Sequence, residues 1–91
     1  MYLITVYDKE DEGAYAAVDE FGNYILYIFE EEDDANRFAM LLEEDGYPKM
    51  NVMEVDEKVA LRACELHGYD YRIFTTEDIV IPPHKDDTNF I

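Results

Sequence analysis

One hexapeptide narrows the folds open to this chain more than any other segment. Tyr24-Ile25-Leu26-Tyr27-Ile28-Phe29 contains no charged residue and no Gly or Pro. Successive side chains of a strand point to opposite faces, so a half-exposed strand alternates apolar and polar positions. Here both faces are apolar, as expected of a strand covered on both sides or central in a sheet. Phe21-Gly22-Asn23 supplies turn chemistry before it, and the acids Glu30 to Asp34 close it.

The remaining segments supply partners for that strand. Tyr2 to Tyr7 is β-branched and aromatic and reads as a first strand, ended by the charged turn Asp8 to Gly13. Ala14 to Val18 is a second strand, weakened by its alanines. Ala35, Phe38, Ala39 and Leu42 repeat at the spacing of one helical face, which predicts a helix over 33–45. Asp33 or Asp34 would cap it, Gly46 would close it, and Pro48 blocks its continuation. Met50 to Val55 is a fourth strand whose imperfect alternation points to a bulge. Asp56 then caps a second helix, with an apolar side of Val59, Ala60, Ala63, Cys64, Leu66 and His67 and a closing Gly68. Tyr71 to Phe74 is a short strand, and Ile79 to Ile81 offers a further edge strand ended by Pro82-Pro83.

The expected fold is α+β, with two helices packed on one face of a mostly antiparallel sheet in the order β-β-β-α-β-α-β, ferredoxin-like or a related sandwich. Residues 1–81 form its single domain, and 82–91 a polar, mobile tail. Ninety-one residues leave no room for a second core.

Charge decides which partners are plausible. Seven Lys and Arg stand against 23 Asp and Glu, giving a net charge of −16. Such a surface repels nucleic-acid phosphates and anionic lipids and suits a basic protein or divalent cations. The expected partner is therefore another protein with a basic surface, with no nucleic acid and no membrane, the chain itself being a monomer or weak homodimer. The single cysteine, Cys64, allows no intrachain disulfide and fits a reducing compartment. Met1 to Gly13 lacks the basic start and long apolar run of a secretory signal, so the expected address is the cytoplasm.

Catalytic chemistry finds few candidates. Glu30, Glu31, Glu32, Asp33 and Asp34 offer hard oxygen ligands, but without the spacing of a calcium loop, and acids entering a helix have a structural reason in the helix dipole. The turn acids Asp8, Glu10, Asp11 and Glu12 read the same way. Cys64 and His67 share a helix face, yet only His84 is left as a third zinc ligand, and an acidic setting does not favour a thiolate. Serine is absent, and the four glycines are scattered singly, which removes a serine nucleophile and a glycine-rich phosphate loop. No catalytic, cofactor or metal residue is assigned, and the chain is not expected to be an enzyme. Eight tyrosines suit strands and interfaces equally.

The segment Ile28 to Glu43 followed by Gly46-Tyr47-Pro48 resembles the signature of a family of short domains of unknown function from cyanobacteria and plant and algal plastids. The resemblance rests on Phe29-Glu30, Asp33-Asp34-Ala35, Arg37-Phe38, Leu41-Leu42 and Tyr47-Pro48, continued by Val52, Asp56, Cys64-Glu65, Gly68-Tyr69 and Pro82-Pro83. It spans roughly residues 24–83, departing from the pattern at Glu44-Asp45-Gly46 and in the N-terminal hairpin. It implies a photosynthetic setting and an accessory role, and carries over no functional residue. The expected function is thus a non-enzymatic acidic interaction or accessory module, with Glu30 to Asp34 and Arg37 as its candidate surface. The alternative is a small-ligand or divalent-cation binding protein using the same acidic run.

Overall fold

A computed structural model describes residues 1–9, 13–78 and 88–91 of the chain. The elements run β1 (Tyr2–Val6), β2 (Tyr15–Val18), β3 (Tyr24–Phe29), α1 (Glu32–Glu44), β4 (Met50–Glu54), α2 (Glu57–His67), β5 (Asp70–Phe74) and β6 (Thr88–Phe90). The α+β class and the order of the first seven elements are those expected from the sequence.

β3 is paired along both edges. On one, β5 runs parallel to it from Ile25↔Asp70 to Phe29↔Phe74. The opposite edge is shared, with β2 antiparallel to Tyr24–Leu26 and β1 reaching Phe29 through Tyr2. β4 lies antiparallel beside β1 in unbroken register from Tyr2↔Glu54 to Val6↔Met50, so the bulge expected in β4 is not there. β6 pairs with β2 from Tyr15↔Phe90 to Ala17↔Thr88. Part of the tail expected to be mobile is therefore a strand, fixed further by reciprocal bonds from the Ala14 amide to the Ile91 carbonyl (2.7 Å) and back (2.8 Å). The expected strand at 79–81, the diproline, His84 and the acids at 10–12 lie outside the described residues.

The helices cover opposite faces of the sheet, which corrects the expectation of one shared face. Tyr27 and Phe29 of β3 pack with Ile4, Tyr15 and Phe74 under Ala35, Phe38, Ala39 and Leu42 of α1. Leu26 and Ile28, the alternate positions, pack with Leu3 under Ala60 and Cys64 of α2. The reason is the double-sided strand itself: each apolar face must be shielded from water, and one helix can shield only one. The second expected stripe was also too broad. Val59, Ala63, Leu66 and His67 are exposed, and α2 rests on Ala60 and Cys64 with Leu61 partly buried beside them.

Both helices stop by the same device. The Gly46 amide donates to the Glu43 carbonyl and the Tyr47 amide to the Leu42 carbonyl, while Gly68 and Tyr69 donate to Glu65 and Cys64. Gly46 and Gly68 have φ of 97° and 71°, the left-handed conformation this wrap requires and glycine adopts at little cost. In each case the tyrosine after the glycine folds back against its own core. At the other ends Asp56 caps α2 by accepting from the Lys58 amide at 2.8 Å, as expected. α1 instead starts after Glu31, whose side chain makes no cap bond, and Asp33 and Asp34 sit in the first turn.

Tyr15 centres the α1-side core. Its ring meets Tyr27 and Phe38 edge-on, each at 5.4 Å, and Tyr47 and Phe90 at 6.1 Å. Burial drives the phenol pKa above the ordinary tyrosine range, and the hydroxyl has no hydrogen-bond partner among the described residues. An unpaired buried hydroxyl is a cost. Tyr15→Phe is therefore expected to leave stability unchanged or raise it by about 1 kcal/mol. Tyr15→Ala should lose about 3–5 kcal/mol, both being read from the urea unfolding midpoint.

Candidate interaction surface

The acidic run does not act as one group. The Glu30 amide is bound to the Phe74 carbonyl at 3.0 Å, which fixes the exit from β3, while the side chains of Glu30 to Asp33 are exposed. Asp34 turns inward. One of its oxygens accepts from the Arg37 guanidinium at 3.0 Å, and the other is buried with no partner among the described residues. Arg37 itself is mostly exposed, so this one-turn pair contributes little to stability. Among the described residues, no three His, Cys, Asp or Glu side chains come together as a metal site would require.

The structure joins the start of this run to acids far away in sequence. Tyr2 donates to the Glu54 carboxylate at 3.4 Å. The pKa of its phenol is raised by the charge of Glu54 first, then by burial and by the charges of Glu32 and Glu31. The N-terminus of α1 and the end of β4 therefore share one negative field.

Between α1 and β4 lies an open groove of about 410 Å³, floored by Met50 and Val52 and walled by Glu32, Met40 and Glu43. Met40 is 63% exposed beside this groove. The Glu43 carboxylate reaches across to accept from the Met50 amide at 3.0 Å and so ties the helix to the strand. β4 pairs only with β1, and its outer edge is open to this groove among the described residues.

A second concavity lies under α2. Leu3, Leu26, Val55, Ala63 and Ile91 line an almost wholly apolar cleft of about 290 Å³. Ala60 and Cys64, the residues α2 buries against the sheet, are small and leave the interval partly unfilled, with exposed Ala63 at its margin. Val59 and Leu66 stand 66% and 74% exposed on the same helix. His67 stacks on Tyr69 with ring centroids 5.5 Å apart. Cys64 is 2% exposed and its thiol pKa is raised by burial first and by Asp70 second, the reverse of what nucleophilic activation needs.

Sequence reasoning found the acidic run but missed both concavities. The groove requires the register of β4 on β1, and the cleft requires knowing that α2 has a sheet face to itself. Only the excess of small residues on α2 signalled the second.

Against known proteins, the chain matches over residues 2–84 a family described as a domain of unknown function, DUF3110. The chain belongs to the DUF3110 family. Its match takes in the N-terminal strands that the sequence resemblance had left out. No curated protein and no solved structure matches this DUF3110 domain. Among the described residues no helix is long and apolar enough to cross a membrane.

The burial of Cys64 has a direct readout. Alkylation of this single thiol by iodoacetamide at mildly alkaline pH is expected to be at least about tenfold slower in the folded protein than in urea. Equal rates, followed by mass spectrometry, would contradict the packing described for α2.

Proposed function

We propose that this DUF3110 domain is a non-enzymatic interaction module that binds a protein with a basic surface. The observation that carries this reading is the convergence of exposed carboxylates around one groove. Glu32 in the first turn of α1 and Glu43 near its end wall the groove, whose floor sets Met50 and Val52 beside Asn36 and Asn51. Carboxylates on the rim steer and orient a cationic partner, and apolar contact in the middle supplies affinity. The resemblance to cyanobacterial and plastid domains supports a partner from a photosynthetic cell and a cytoplasm-like compartment.

Affinity capture from a cyanobacterial lysate, washed across a salt series and read by mass spectrometry, tests this. The expected result is a basic protein whose affinity falls about tenfold or more from low to high ionic strength. Binding insensitive to salt would remove the electrostatic reading.

The cleft under α2 favours a second reading, a carrier of a small apolar molecule. Its lining is apolar and its volume suits a compact ligand. Saturable binding of the neutral probe N-phenyl-1-naphthylamine, abolished in Ala63→Trp, is the expected result. Unsaturable fluorescence would rule this reading out.

A further inference from the structure

The open edge of β4 has the chemistry to take up another strand. Residues opposite one another in an antiparallel pair alternate between exchanging hydrogen bonds and directing them outward. The Tyr7 amide donates to the Lys49 carbonyl and the Val55 amide to the Met1 carbonyl, so the odd-numbered residues of β4 bond to β1. The amides and carbonyls of Met50, Val52 and Glu54 therefore face away from β1. The Met50 amide is held by Glu43, at 3.0 Å. No described strand pairs with the remaining outward groups of Val52 and Glu54.

Proteins commonly protect such an edge with charge, because an exposed edge templates pairing with other chains. Here the charge is of one sign. Glu32 and Glu43 wall the groove beside β4, and Glu54 ends the strand. A second copy of this chain would bring a further net charge of −16 to that edge and be repelled. A cationic strand would be attracted. On the α1 side its alternate side chains would lie over Met40, whose exposed thioether suits the aliphatic stem of Lys or Arg, with the cationic heads reaching Glu32 and Glu43.

We infer that the β4 edge is a docking site for an extended segment of a partner protein, added as a further strand and carrying Lys or Arg at alternate positions. Main-chain bonds to Val52 and Glu54 fix its register, and the groove between β4 and α1 selects its charge. This inference rests on the basic-partner reading above and gives that partner a conformation and a place.

The test uses the full chain, labelled with nitrogen-15, and a short end-blocked peptide alternating Lys and Val. Three ligands are compared at low ionic strength: this peptide, the same peptide N-methylated at alternate amides, and its Glu counterpart. The expected result is chemical-shift change centred on the Val52 and Glu54 amides. N-methylation, which removes strand pairing but keeps the charge, should weaken binding about tenfold, and the Glu peptide should not bind. Val52→Pro should weaken it similarly, because that amide points away from β1 and its loss spares the β1–β4 ladder. The methylated peptide tests the same point without depending on how well this variant folds.

Equal binding of plain and methylated peptides, with shifts confined to residues 30–34, would overturn strand docking while leaving a basic partner in place. No salt-sensitive binding of the Lys peptide would overturn both. Self-association that Val52→Pro abolishes would give the edge to a second copy and overturn the inference.

Discussion

β3 has no face to give to water, and most of the architecture follows from that constraint. Ile28 and Phe29 are fully buried on opposite sides of it. Leaving either face in solvent would cost about 1.5–3 kcal/mol for each large apolar side chain exposed. The chain meets the demand by dividing its helices, α1 to one face and α2 to the other. β4 lies between them in sequence and pairs at the far side of β1. β5 can then enter parallel to β3, an arrangement that needs a long crossover rather than a tight turn.

The two covers are unequal. α1 seats four residues, two of them Phe38 and Leu42, on an aromatic bed organised by Tyr15. α2 seats Ala60 and Cys64 only and keeps Val59 and Leu66 in solvent. α1 fills its side of the sheet with large side chains beside the β4 edge. Loose packing on the other leaves the apolar cleft, so the two candidate surfaces of this DUF3110 domain have different physical origins.

Local features were legible in the sequence because their causes are local. The apolar run of β3, the stripe of α1, the Asp56 cap and the glycines that close both helices were each visible in a few adjacent residues. Which face each helix takes was less visible, since an apolar stripe shows that a helix needs cover without saying where. The double-sided pattern of Tyr24 to Phe29 held the answer, and the expectation of one shared face set it aside. β6 escaped because three residues after a charged run carry too little pattern, and Ala14 and Ile91 meet only in the folded chain. The acidic run was read directly, but its alliance with Glu54 comes from the strand register that brings Tyr2 and Glu54 opposite each other.

The excess of carboxylates also ties the repulsion between copies of this chain to acidity. The isoelectric point is about 4.1, where the repulsion between copies disappears. Toward that pH the β4 edge loses the protection that net charge gives it against its own kind. Acidification thus weakens the repulsion between copies and lowers colloidal stability. A chain so rich in Asp and Glu keeps its copies apart only well above its isoelectric point.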